Sequence, residues 1–67
     1  MYVVEEMKGG EVIFRADFED AAGIAAHFSR SAEEIGQLCE WAEEAPGVPQ
    51  GLATGPNSSL IITAEEP

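Results

Sequence analysis

The chain has 67 residues, which is enough for one small domain. Three basic side chains oppose thirteen acidic ones, and the formal net charge at pH 7 is −10. A charge of this sign repels nucleic acid and anionic membranes, so direct binding to DNA or RNA is not expected. The apolar fraction is typical of a globular protein, and we expect the chain to fold.

The sequence favours a cytoplasmic protein. Cys39 is the single cysteine, whereas a secreted domain of this size usually carries several. The first residues do not resemble a signal peptide. No stretch approaches the roughly 18 apolar residues of a membrane span.

Two strands and a hairpin are predicted at the start of the chain. Residues 2–7 and 11–17 are rich in β-formers, and the Gly9-Gly10 pair between them is a hairpin signal. In the second strand Val12, Phe14 and Ala16 share one face. We take that face as the one that contributes to the core.

Two helices are predicted next. Asp17 is expected to cap the first one, and an apolar stripe of Ala21, Ile24, Ala25 and Phe28 follows at helical spacing. Ser31 and Glu34 match a capping box that opens a second helix, which ends at Pro46-Gly47. Its apolar stripe consists of Ile35, Leu38, Cys39 and Ala42. One long kinked helix is the alternative, but the capping box favours two.

Residues 46–58 are rich in proline and glycine and are predicted to be a loop, and residues 65–67 a frayed tail. Residues 59–64 form the third predicted strand. The fold class is therefore α+β, with ββααβ order: a three-stranded, mainly antiparallel sheet with two helices packed on one face, in a single domain of residues 1–67. The predicted core is Val12, Phe14, Ala16, Ile24, Phe28, Ile35, Leu38, Cys39, Ala42 and Ile62.

No residue pattern indicates catalysis. His27 is the only histidine, lies off the apolar stripe and is expected at the surface, while Cys39 is expected to be a core thiol. The acids are mostly glutamates spread over helices and strands, without the alternating Asp, Asn and Gly of a calcium loop. Zinc and phosphate-binding motifs are missing as well. We therefore predict a protein without enzymatic activity, metal or cofactor.

The second helix carries an acidic stripe. Glu33, Gln37, Glu40 and Glu44 fall opposite its apolar side at 100° per residue. A rise of about 1.5 Å per residue puts Glu40 and Glu44 about 6 Å apart along the axis, and Glu33 about 10 Å from Glu40. Phosphates of a DNA strand lie at comparable intervals, since the strand advances about 3.4 Å per nucleotide along its axis.

This stripe works against the stability of its own helix. Glu40 and Glu44 repel each other at i, i+4 spacing, and Glu43 and Glu44 lie where the helix dipole favours cations. A locally unfavourable arrangement of this kind is typical of a functional site. Trp41 either caps the edge of the core or anchors an interface. The predicted partner-binding residues are Glu33, Glu34, Glu40, Trp41, Glu43 and Glu44.

In size, acidity and order of elements, the chain from Tyr2 to Ala64 resembles small phage-encoded anti-CRISPR proteins that act as DNA mimics. The resemblance implies a CRISPR effector as partner, whose lysines and arginines otherwise grip DNA near the PAM. It carries over no individual functional residue. Two other functions fit an acidic domain: an antitoxin-like or regulatory module that binds a basic protein, and a structural or adaptor domain whose acidity serves solubility.

Overall fold

The computed structural model describes residues 1–65 of the chain. Its elements are β1 (Tyr2–Lys8), β2 (Glu11–Phe18), α1 (Ala21–Phe28), α2 (Ala32–Glu44), β3 (Gln50–Gly55) and β4 (Ser58–Ala64). The four strands form one antiparallel sheet in the order β2-β1-β4-β3. The α+β class and the two helices are confirmed, but the sheet has a fourth strand, so the order is ββααββ.

The predicted loop over residues 46–58 is wrong in its second half, which contains β3. This segment includes two glycines and no β-branched residue before Thr54, so its own propensity for a strand is low. Pairing with β4 makes it a strand: Gln50 lies opposite Ile62 and Leu52 opposite Leu60. A contact between distant residues therefore overrides the local signal.

The predicted start of the first helix at Asp17 is also wrong. β2 continues to Phe18, which pairs with Tyr2 across the sheet and packs against the core. Asp20 is the cap instead: its backbone is extended and its Oδ1 accepts a 2.8 Å hydrogen bond from the Gly23 N–H. At the other end, Ser29 in the left-handed conformation (φ 54°) terminates α1.

The break between the two helices is confirmed. The Ser31 hydroxyl accepts a 3.4 Å hydrogen bond from the Glu34 N–H at the start of α2, which is one half of the predicted capping box. The other half does not form, because the Glu34 carboxylate accepts from Arg30 instead. Glu65, the first residue of the predicted frayed tail, donates its N–H to the Met1 carbonyl at 3.1 Å. The predicted fraying of residues 66 and 67 lies outside the described residues.

The core lies between one face of the sheet and the two helices. Six of the ten predicted core residues are buried: Ile24, Ile35, Leu38, Cys39, Ala42 and Ile62. Three more, Phe14, Ala16 and Phe28, are half-buried. The core also contains residues that the prediction left out, namely Tyr2, Val4, Ala25, Leu60 and Ala64.

Val12 is the predicted core residue that is wrong, since its side chain is 49% exposed. The pairing explains it. Phe14 lies opposite Glu6, but Val12 lies opposite Met7, so one extra residue, Ile13, forms a bulge in β2. A bulge shifts the alternation of faces by one position. Val12 therefore lies on the same face of the sheet as Met7, which is the face turned away from the helices.

Candidate acidic interface

Helix α2 has a buried side and an acidic side, as predicted. Its four buried residues are the predicted stripe of Ile35, Leu38, Cys39 and Ala42. The opposite side chains, Glu33, Gln37, Glu40 and Glu44, are all exposed. Because the buried side anchors α2 to the sheet, the three glutamates form a row on a fixed support, which is hereafter called the acidic row (Glu33, Glu40 and Glu44).

The acidic row has little local compensation. Residues 32–44 include no lysine or arginine. Within the stripe, the Gln37 side-chain amide donates a long hydrogen bond of 3.5 Å to the Glu40 carboxylate. Glu33 lies in the first turn, where the helix dipole stabilises it, whereas Glu44 lies in the last turn, where the dipole opposes it.

Glu34 differs from the acidic row because it is paired. Both Nε and Nη2 of Arg30 contact its Oε1, at 3.1 and 2.8 Å. The two side chains are 30% and 39% exposed, so the pair adds little to stability. It does offset the charge of Glu34, which therefore contributes less to the negative field of α2 than Glu33 does.

Glu43 is held by the sheet. Its Oε1 accepts a 2.6 Å hydrogen bond from the Tyr2 hydroxyl, at the partly buried rim of the core. This hydrogen bond, together with burial, raises the pKa of Tyr2 above its ordinary value. Sequence inspection missed the contact because 41 positions separate the two residues. The result is a carboxylate with a defined orientation beside the acidic row.

Trp41 is 49% exposed and is not one of the buried residues that form the core. A tryptophan that exposes half of its surface is an apolar group available for contact, next in sequence to Glu40. The predicted site thus combines the acidic row, a partly neutralised carboxylate, an oriented carboxylate and an exposed indole.

His27 belongs to an aromatic cluster that the sequence analysis did not identify. It is exposed, as predicted. Its ring stacks on Phe14 with centroids 5.0 Å apart, and it meets Phe28 at 4.7 Å and Phe18 at 5.5 Å. The signal was present in β2, where Phe14 and Phe18 occupy the same face. The cluster fixes α1 over the edge of the sheet formed by β2.

Comparisons of the chain with protein-family models, with curated proteins and with solved structures find no match. Neither helix of the described residues has the length and apolar character needed to cross a membrane. Within residues 1–65, no group of three or more His, Cys, Asp and Glu side chains is placed to hold a metal ion. The geometry and charge of the chain itself are therefore the basis for a functional proposal.

Proposed function

We propose that this chain is a non-enzymatic inhibitor that occupies the DNA-binding surface of a basic protein, specifically a CRISPR–Cas effector, by imitating the charge of a DNA strand. The observation that supports it most directly is the acidic row. Glu33, Glu40 and Glu44 are all exposed on one side of a helix whose other side is buried.

The fixed support matters because a mimic has to match positions as well as charge. Ile35 and Ala42 are fully buried and Leu38 is 4% exposed, so α2 cannot rotate without opening the core. Axial separations of about 6 and 10 Å therefore persist in the free protein. A pre-organised row loses less entropy on binding than a flexible acidic tail does.

The whole-molecule charge supports the same function. A net charge of −10 attracts a basic cleft over several ångströms and speeds the encounter. It also repels nucleic acid, so the chain is expected to compete with DNA rather than to bind beside it. Trp41 adds an apolar contact next to the row, of the residue type that is common at interface hot spots.

A competition experiment tests the proposal. Purified CRISPR effector complexes are immobilised, binding of the chain is measured by interferometry, and a PAM-containing DNA duplex is then added. We expect the chain and the duplex to exclude each other. Simultaneous binding of both would contradict mimicry. Binding to a basic toxin but to no effector would instead favour the antitoxin-like function.

A further inference from the structure

A small cleft opens on the helix side of the sheet, outside α2. Its volume is about 240 Å³. Pockets for drug-sized ligands usually measure about 300–1,000 Å³, so this one is sized for a side chain or a fragment. It is lined by Glu6, Phe28, Arg30, Thr54, Ser58 and Leu60.

The cleft begins where the core ends. The helix-facing positions of β1 are Tyr2, Val4 and Glu6; the first two are buried and Glu6 is half-buried. Glu6 lies opposite Leu60 of β4, which is 1% exposed and contributes an apolar wall. A carboxylate thus occupies the helix-facing side of the sheet, at the border of the core.

The charges around the cleft favour a cation. Arg30 is its one basic residue, and two nitrogens of that guanidinium already contact Glu34. Glu6 forms no ion pair with a basic residue of the described chain. With Arg30 offset by Glu34, the carboxylate of Glu6 is left as the uncompensated charge.

The other lining groups suit a guanidinium. The hydroxyls of Thr54 and Ser58 can accept its hydrogen bonds, and the ring of Phe28 attracts cations. Arginine presents five donors in a planar fork, which pairs with a carboxylate and nearby hydroxyls better than the compact ammonium of lysine does.

Two strand pairings are irregular near the cleft. In the pairing of β3 with β4, Ala53 lies opposite Ser59 and Gly55 opposite Ser58, which leaves Thr54 as the extra residue of a bulge. The pairing of β1 with β2 shifts directly after Glu6. Bulges are frequent next to functional sites, because they kink a strand and interrupt its pairing.

We propose that this cleft receives an arginine side chain of the basic partner, with Glu6 pairing to the guanidinium. The inference rests on the proposed function and adds to it a contact that lies on the sheet rather than on α2. It makes Glu6 a specificity-determining residue. The acidic row supplies the long-range charge, and the cleft selects one side chain by shape and hydrogen bonding.

The first test uses a small probe and no partner. N-acetyl-arginine-N-methylamide is titrated into the ¹⁵N-labelled protein, and the citrulline analogue serves as the neutral isostere. We expect saturable shifts of the Glu6, Thr54 and Ser58 amides, with an affinity on the order of millimolar, as is common for one small contact. Citrulline should cause none. Shifts that centre on α2, or equal affinity for the lysine analogue, would overturn the assignment.

A matched pair of variants locates the charge. Glu5 and Glu6 are adjacent in β1, both half-buried, and lie on opposite faces of the sheet. Glu6→Gln should weaken probe binding by about tenfold or more, because the charge-assisted pair is lost. Glu5→Gln removes the same charge and should leave it unchanged. Equal weakening by both variants would show that net charge alone attracts the probe.

The experiments can refute the arginine site in the cleft and the proposed inhibitor function separately. The Glu40→Gln/Glu44→Gln variant should bind the probe as the unmodified chain does. An effector that binds the Glu6→Gln variant and the unmodified chain equally would overturn the cleft and leave the inhibitor function intact. Probe binding at Glu6 in a chain that no effector recognises would leave the cleft as an arginine site and remove the proposed function.

Discussion

The Tyr2 hydroxyl donates a 2.6 Å hydrogen bond to Glu43 and thereby joins the first strand to the last turn of α2. Tyr2 itself is 8% exposed, whereas Glu43 is exposed. Carboxylates at this end of a helix oppose its dipole and promote fraying. The hydrogen bond counters that tendency, so the C-terminal end of the acidic row keeps a fixed position relative to the sheet.

Removing this hydrogen bond should destabilise the protein. Tyr2→Phe keeps the ring and deletes the donor, and we expect the free energy of unfolding to fall by about 1–2 kcal/mol. Urea denaturation measures it. Glu43→Gln keeps an acceptor and should cost less. An unchanged denaturation midpoint in Tyr2→Phe would show that the hydrogen bond adds nothing to stability in solution.

The same contact predicts a loss of stability in alkali. The hydrogen bond to Glu43 and burial raise the pKa of Tyr2. The folded protein thus keeps the phenolic proton at a pH where the unfolded chain, with a pKa of about 10, releases it. Since the unfolded state then binds fewer protons, this contribution is fully present below about pH 10 and is lost as the pH rises further.

A common background isolates this effect, because burial also raises the pKa of the Cys39 thiol. Urea unfolding is measured at rising pH in Cys39→Ala and in Cys39→Ala/Tyr2→Phe. We expect the free energy of unfolding to fall more steeply above about pH 10 when Tyr2 is present. Parallel curves would contradict the assignment of alkaline lability to Tyr2.

The position of the core predicts unequal effects of two truncations. Leu38 is 4% exposed, and Leu38→Ala should lower the free energy of unfolding by about 2–5 kcal/mol, enough to unfold a domain of this size. Val12 is 49% exposed, and Val12→Ala should change it by less than about 0.5 kcal/mol. Thermal melting distinguishes the two. A large loss at Val12 would mean that the bulge at Ile13 is absent in solution.

The sequence predicted the elements whose signals are local. The Ser31 cap and the apolar spacing of α2 lie within one continuous segment, so the sequence alone predicts both the helix and its buried side. The predicted start of α1 is too early because Asp17 is also a capable cap, and the pairing of Phe18 with Tyr2 decides against it. The sequence does not predict β3 for a similar reason, since this segment becomes a strand only through pairing with β4.

The candidate sites divide in the same way. The acidic row follows from the geometry of a single helix, and its exposure could be predicted without knowing the fold. The Tyr2–Glu43 hydrogen bond and the placement of Glu6 beside Thr54 depend on how separate elements pack. No local pattern marks Glu6, because its neighbour Glu5 is the same residue on the opposite face.

Binding to a basic partner should weaken with salt. Screening shortens the Debye length to about 8 Å at physiological ionic strength, so the association rate should fall as sodium chloride is raised, with a smaller change in the dissociation rate. Interferometry against the effector at several salt concentrations measures both rates. An affinity that stays flat across the series would contradict a charge-driven contact and indicate an apolar interface around Trp41.

The acidic row makes the sharpest prediction about position. Replacing Glu40 and Glu44 with glutamine keeps size and helix propensity while removing two charges. Stability should stay the same or rise by a few tenths of a kcal/mol, because a repulsive i, i+4 pair disappears. Affinity for the effector should fall by at least about tenfold, since two charges that imitate phosphates are gone. Thermal melting and interferometry measure the two effects.

A charge-matched control separates position from total charge. Glu11 and Glu19 are both exposed and lie outside α2, so Glu11→Gln/Glu19→Gln lowers the net charge equally. That variant should lose little affinity, and reversal of Glu40 and Glu44 to lysine should abolish binding. Equal losses from the two glutamine variants would mean that only net charge counts. Full affinity in Glu40→Gln/Glu44→Gln, against a confirmed partner, would remove the acidic row as the site, because a mimic cannot lose its phosphate-like charges and still compete with DNA.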